Sequence, residues 1–329
     1  MKRSLLALGL ALFSGVVLAG RPTTIQYSIV DLGLLPGGGF SEALNVNDRG
    51  QIVGWGSTST GESHAVLWQD GKAIDLGTLG GTSSRAWGIN NSGQIVGESD
   101  TATGDGHAFL WEDGQMFDLA EAGPFNRAFA INDRSVVAGH FQSDGVLWRR
   151  GMLFDLGDLL VGWTINDHLV VGGAASFGGQ IHAALWRQGE TIDLGTLPGG
   201  TFSAARSVNN RNQVVGESTV DGTHGFIWDD GVMLQLPDLI QGTGATFARD
   251  INNRGQIVGE SVSNQNAVGG APHAVLWNDR NSAPLDLGTL AGTERSTAAA
   301  INDRGLIAGY SGAGGFTGHA VAWVPVRKD

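Results

Sequence analysis

Seven times along the chain a β-branched residue is followed by Asn, at Val46-Asn47, Ile89-Asn90, Ile131-Asn132, Ile165-Asn166, Val208-Asn209, Ile251-Asn252 and Ile301-Asn302. After each pair comes a Trp, at Trp68, Trp111, Trp148, Trp186, Trp228, Trp277 and Trp323. The two anchors alternate without exception, and successive Asn anchors stand 34 to 50 residues apart. A unit that recurs near this period cannot bury its apolar faces alone, so like units must pack against one another. When the unit consists of short β segments, the pattern is that of a propeller blade.

Four strand-length segments can be read in each unit. In the second they are AWGIN at 86–90, QIVGES at 94–99, HAFLW at 107–111 and MFDLA at 116–120, all rich in β-branched or aromatic residues. NSG, DRG or NRG joins the first pair, and EDG or QDG joins the third to the fourth. Asn or Asp before Gly supplies the positive φ of tight hairpins, so both tight turns lie at one end of the unit. The other two connections vary. From the Gly of the second strand to the His position of the third, the step is 8 to 10 residues in five units, 5 in the third unit (Gly139 to Asp144) and 14 in the sixth (Gly259 to His273). The variable loops share the opposite end, around one mouth of a central channel.

The chain ends complement each other. The last unit stops at VPVRKD without a fourth strand, while YSIVDLG near the start is a fourth strand with no unit before it. The expectation is an all-β chain, a seven-bladed β-propeller of four-stranded blades forming a single domain over residues 20–329. The N-terminal strand Tyr27 to Leu32 closes the ring beside His319 to Trp323, which protects edges that would otherwise be open. The 53 glycines follow no three-residue period and fit many short strands joined by turns.

The first 19 residues carry Lys2 and Arg3, an apolar run from Leu5 to Leu18 and a small Ala19. This reads as a secretory signal peptide, because the run is short for a bilayer span, which needs about 20 apolar residues. The mature chain is expected to begin near Gly20, to carry no transmembrane segment and to be secreted, whether periplasmic, extracellular or at the cell surface. With no Cys anywhere, the core alone must stabilise it. Without the leader, 18 basic and 32 acidic side chains remain, a net charge of −14 with neutral histidines. That balance disfavours nucleic acid and anionic membranes. A monomer is expected.

The pattern HAFLW.DG...DLGTLGG......AINN.GQIVGES resembles the bacterial extracellular HAF repeat, named for the His-Ala-Phe triplet found here at 107–109, and the resemblance covers residues 27–324. Three places depart from it. Asp144-Gly145-Val146 replaces the triplet in the third unit, DLGDLLVGWTIN forms a short passage into the fourth, and Gln235 replaces the Asp of "DL" in the fifth. The resemblance implies a secreted or surface-exposed repeat protein and no particular activity.

Six histidines, His64, His107, His182, His224, His273 and His319, occupy equivalent places in every unit except the third. Symmetry spreads them around the ring, which argues against one metal or proton site. In the first two units the His lies 11 residues before the Asp of "DL" (His64 and Asp75, His107 and Asp118), so a hydrogen bond to Asp or Ser that locks each blade is the expected role. The seven Trp anchors are expected to pack the blades. LPGGG and LGGT lack the lysine and helix of a phosphate loop, and GxSxG, HExxH, CxxC and DxDxDG are absent. No catalytic residue, metal ligand or cofactor is assigned. The acidic turns WEDG, WDDG and INDRG leave a calcium ion at a loop unsupported.

What remains is the part of each unit that does not repeat. Three residues before the Asn anchor stand Leu44, Trp87, Phe129, Trp163, Arg206, Arg249 and Ala299; five before it stand Glu42, Arg85, Arg127, Val161, Ala204, Phe247 and Thr297. Placed at the channel mouth, Arg85, Trp87, Arg127, Phe129, Trp163, Arg206 and Arg249 suit a planar or glycan-like ligand or a partner carboxylate. Equally, such residues can simply plug the channel. Three functions follow: a binding or scaffold propeller for a glycan, peptide or surface protein; a glycan hydrolase or lyase; or a structural surface component. The mouth offers an enzyme only Glu42, Asp250 and Glu294 as carboxylates, from scattered blades, which favours binding.

Overall fold

A computed structural model describes residues 26–242, 245–263, 271–313 and 317–326. The expected leader over residues 1–19 lies outside these, as does much of the long loop of the sixth unit. Among the described residues all regular structure is β apart from the single 3-10 turn Ala120–Ala122. In the first unit the strands are Ser41–Val46, Ile52–Ser57, Ser63–Gln69 and Lys72–Asp75, paired antiparallel in chain order. The same four-stranded meander recurs from Gly80–Ile89 to Gln115–Asp118, from Arg127–Ile131 to Met152–Asp155, and from Thr246–Ile251 to Leu285–Asp286. An eight-stranded sheet between Leu159 and Gln235 consists of two such meanders joined by one parallel pair, Ile181 and Phe202. The last three strands, Arg295–Ile301, Ile307–Gly312 and His319–Val326, take Gln26–Asp31 as their fourth, with Ile29 opposite Trp323.

In the first five units the third and fourth strands are joined by two residues that both hold positive φ, as at Asp70 (53°) and Gly71 (72°), the geometry that matches the twist of a hairpin; in the sixth, residues 278–284 make a longer connection. The first turn departs from the Gly expectation in three units, where Ser135, Leu169 and Asn212 carry φ of 58°, 62° and 63°. The Asn anchor makes this tolerable. In the fourth unit the Leu169 N–H donates to the Asn166 carbonyl, and the Asn166 side-chain oxygen accepts from the N–H groups of His168 and Val170.

Each Asn anchor also reaches its neighbour. Its Nδ2 donates to the backbone carbonyl of the next anchor, from Asn47 to Asn90, Asn90 to Asn132, Asn132 to Asn166, Asn166 to Asn209, Asn209 to Asn252 and Asn252 to Asn302, at 3.0–3.1 Å. Asn302 donates back to Asn47 at 2.8 Å. One residue further on, a second series runs alongside. The N–H of Asp48 donates to Asn91 Oδ1, and the pattern continues through Asp133, Asp167, Asn210, Asn253 and Asp303 back to Asp48, at 2.7–3.0 Å.

Between neighbouring sheets lie apolar clusters, each drawn from two successive units. One holds Val53, Leu67, Ile89, Ile95 and Phe109; another joins the first unit to the last through Val46, Val66, Trp68, Ala300 and Ala320. Trp277 and Trp323 are fully buried and Trp68 nearly so, while Trp111, Trp148, Trp186 and Trp228 are half-buried. The Trp277 and Trp323 indole N–H groups donate to the carbonyls of Pro237 and Leu287 at 3.0 and 2.9 Å. A buried Ser adds a polar link. The Ala65 N–H donates to Ser84 of the next unit, and the Ser84 hydroxyl donates to the Gly77 carbonyl. Ser203, Ser296 and Ser41 repeat this link.

The first strand of every unit carries a register shift three residues before the Asn anchor, leaving Leu44, Trp87, Phe129, Trp163, Arg206, Arg249 and Ala299 unmatched. This is a β-bulge, which re-aims one side chain. The Gly of "VG" opposite it explains itself by close approach. A Cβ on Gly216 would lie 1.9 Å from the Ala204 carbonyl oxygen, and the six equivalent glycines meet the same carbonyl at 1.8–1.9 Å.

Two substitutions and a control test this frame by urea unfolding. Asn209→Ala removes two buried donors and an oxygen accepting two N–H groups, and is expected to cost about 2–4 kcal/mol. Gly216→Ala is expected to cost about 3 kcal/mol by overpacking, whereas Gly39→Ala, where a Cβ meets nothing within 4 Å, stays within about 0.5 kcal/mol. Equal effects at the two glycines would refute the close-approach account.

Candidate functional site

The seven bulge residues meet in one cavity of about 450 Å³, which also touches Arg127, Asp250 and their neighbours. Trp87, Arg127, Phe129, Trp163, Arg206 and Arg249 are thus placed around one space. Trp87 and Phe129 pack edge to face at 5.7 Å, and Phe129 meets His140 at 5.2 Å. The Arg206 guanidinium lies 4.3 Å over the Trp163 ring. The cavity is neither sealed nor aliphatic. Among the described residues the Trp87 indole N–H is the one buried side-chain polar atom without a hydrogen-bond partner, an unsatisfied donor on a side chain that lines the cavity.

Two residues toward the loops, at the positions five before the Asn, each variable side chain stands opposite a residue of the second strand. These pairs are Glu42 and Trp55, Arg85 and Glu98, Arg127 and His140, Val161 and Ala174, Ala204 and Glu217, Phe247 and Glu260, Thr297 and Tyr310. Sequence reading missed the second member of every pair. Glu98, Glu217 and Glu260 lie inside the phrase "VGES" and read as repeat, yet the same position holds Trp55, His140, Ala174 and Tyr310 elsewhere. That variation was the available signal. Glu294, offered as a mouth carboxylate, instead sits exposed and lines no described cavity.

These glutamates set the electrostatics. Glu98 pairs with Arg127, Glu217 with Arg206, and Glu260 with Arg249 at 2.5 Å while also accepting from Thr297. Burial works against the Arg249 charge, but Glu260, Glu217 and Glu42 outweigh it and hold its pKa up. Burial pushes the Glu42 carboxyl up, only partly countered by the Trp55 N–H at 3.0 Å and by Arg249 and Arg85. Deeper in the channel, burial also raises Asp250, despite hydrogen bonds from Ser207 at 2.6 Å and from the Ile251 and Ile301 N–H groups. The carboxylates therefore differ in environment, and the arginines that face the cavity are largely neutralised by them.

Arg85 is placed elsewhere. It stacks over Trp55 at 4.4 Å and lines a groove of about 650 Å³ between the second and third units, together with Glu98, Asp100, Asn126, Arg127 and His140. Arg127 touches both spaces. At the other end of the channel, between the Asn anchors and their Asp and Asn neighbours, lies a smaller space of about 210 Å³.

The histidines form the expected bonds. Nδ1 of His64, His107, His182, His273 and His319 lies 2.7–3.0 Å from Asp75, Asp118, Asp193, Asp286 and Asp31. The other carboxyl function of these aspartates is local, as where Asp75 Oδ1 accepts the Gly77 N–H. In the fifth unit Gln235 donates to His224 Nδ1 at 2.9 Å, and Nε2 bonds Asp221 at 3.0 Å. The partner's polarity is reversed, so the ring takes the other tautomer. Among the described residues no group of three or more His, Cys, Asp and Glu could hold a metal ion, and no helix is long and apolar enough to cross a membrane.

No protein-family model matches the chain, and no curated protein matches it. Its likeness to solved structures is one of fold. It aligns with the β-propeller domain of the trilobed protease from Pyrococcus furiosus at 11% identity, over 86% of this chain and 93% of that one, with a TM-score of 0.55. YCF48 bound to a D1 peptide aligns at 10% identity, over 92% and 96%, with a TM-score of 0.55. Pyrococcus horikoshii acylaminoacyl peptidase aligns at 10% identity over 88% of this chain and 52% of that one, with a TM-score of 0.52, so the chain spans about half of that enzyme. Likeness at such identities carries the architecture alone: the chain is a β-propeller of four-stranded sheets.

Proposed function

We propose that this is a secreted or surface-exposed propeller of the HAF-repeat kind, seven-bladed and closed by its N-terminal strand, which holds a glycan, peptide or partner protein at the channel mouth without catalysis. One observation carries the binding reading. A bulge in every unit delivers a side chain into one cavity, and those side chains range over Leu, Trp, Phe, Arg and Ala while the frame behind them repeats. A residue that only filled the channel would need bulk and no chemistry; aromatics packed edge to face with ion-paired arginines supply flat faces and fixed donors. The pairing of Gln26–Asp31 with His319–Val326 and the bond from Asn302 to Asn47 support the closure.

A second reading, a glycan-cleaving enzyme, draws on Glu42. Its raised pKa beside the Arg249-paired Glu260 is the divergence of environments from which acid and base pairs are made.

Deleting residues 26–31 tests closure: the melt is expected to broaden and move down by more than about 5 °C, and a variant melting as late and as cooperatively as the parent would sink it. For the site, the mature protein is probed on glycan and peptide arrays beside Trp163→Ala and Arg249→Ala. Each is expected to weaken binding about tenfold or more, the loss of one hot-spot contact. Binding that survives both moves the site elsewhere, and cleaved product that disappears in Glu42→Gln replaces the scaffold with the enzyme.

A further inference from the structure

We propose that the ligand is an extended, uncharged, hydroxyl-rich oligosaccharide, held with one end in the channel cavity and leaving it through the groove between the second and third units. This rests on the mouth being the binding site and adds its path and chemical class. The two spaces, about 450 and 650 Å³, each fall in the range of ligand sites, about 300–1,000 Å³. Arg127 lines both, so the two spaces adjoin at its side chain.

The groove exists because the third unit is abbreviated. Its second and third strands, Val137–Phe141 and Asp144–Arg149, are joined by Gln142 and Ser143 alone, whereas residues 58–62 make this connection in the first unit. The same unit lacks the His that elsewhere stands at the head of the third strand. The two departures from the repeat lie together, beside the groove they leave open.

The lining selects the chemistry. Apart from Gly106, every groove residue bears a polar side chain, so the apolar side chains of a peptide would find no pocket. Arg85, held flat on Trp55, makes no ion pair among the described residues, and its forked donors match two neighbouring hydroxyls. His140 is kept below its ordinary pKa by burial and by Arg127. Neutral at pH 7, it can accept from one hydroxyl and donate to another. Asp100 and Glu98 balance Arg85 and Arg127. With the whole chain at −12 and the groove's two arginines matched by two carboxylates, no net positive charge compensates the repeated carboxylates of a uronate chain. In the channel, the ligand's end meets Trp87, whose buried indole N–H has no partner.

Titration calorimetry decides it, using neutral gluco-, xylo- and manno-oligosaccharides of two to six sugars, with oligogalacturonates and short peptides as comparators. In one neutral series affinity is expected to rise at least about tenfold with length, as groove hydrogen bonds of about 1 kcal/mol each accumulate. Grafting residues 58–62 in place of Gln142 and Ser143 erases that rise and leaves the disaccharide unaffected, and Arg85→Gln weakens the longest ligand about tenfold. Affinity that is flat with length, with Trp163 still required, overturns the groove and leaves the mouth standing. Tighter oligogalacturonate or peptide binding, or no neutral binding, overturns the class. Should no ligand of any class depend on Trp163, both readings fall.

Discussion

The side-chain amide of the Asn anchor is the contact on which the rest depends. One group performs two tasks: its oxygen fixes the turn of its own unit, and its nitrogen donates to the carbonyl of the next. Asp lacks the donor, Ser has one atom to serve both directions, and Gln carries the same amide one methylene too far, since the turn requires an acceptor and the neighbour a donor at the distance of one short side chain. A net hydrogen bond contributes about 1 kcal/mol, so these bonds do not rival the apolar clusters in magnitude. They set position. Sheets packed face to face can slide, and a fixed donor at the same depth in each unit removes that freedom.

Fixed depth makes the bulge useful. Since every inner strand is held at its Asn, the residue three positions earlier comes to the same height in each unit, and the bulge turns it inward there. The Gly opposite is the corresponding requirement, its missing side chain admitting the carbonyl that the bulge pushes across. Asn, bulge and Gly are one device, and what it presents is free to vary. That is why Trp163 and Arg206 can occupy equivalent places and end stacked on each other at 4.3 Å.

Much of this was legible in the sequence. The four segments per unit, their order and the partnership of His64 with Asp75 follow from spacing alone, because a hairpin of known turn length determines which residues face each other. The inward position of Trp87, Phe129 and Trp163 was also accessible, since only the exceptions to a repeat need an explanation other than the frame. Two things were not. Glu98, Glu217 and Glu260 were hidden within a phrase that looked like frame, and their role emerged only from the register that sets them opposite Arg85, Ala204 and Phe247. The bulge itself has no signature in sequence beyond the Gly, so the separation of Arg85 from the other arginines could not be foreseen.

The histidines show how far repetition can be trusted as a sign of structure. His224 faces Gln235 where its equivalents face Asp, and a lock that depended on charge would have failed there. It survives by exchanging tautomer, with Gln235 donating to Nδ1 and the Nε2–H donating to Asp221. A bond that tolerates reversal of donor and acceptor serves geometry, since chemistry would require one particular nitrogen to be free. The ion pairs of the mouth are of the other kind. Arg206 with Glu217 and Arg249 with Glu260 occur in two neighbouring units, while Arg127 reaches a glutamate of the unit before it. Neither the fold nor the repeat demands them. Charges neutralised in pairs retain their hydrogen-bonding atoms but lose their pull on a distant ion, so what the mouth presents is placed donors and flat faces, with little net field.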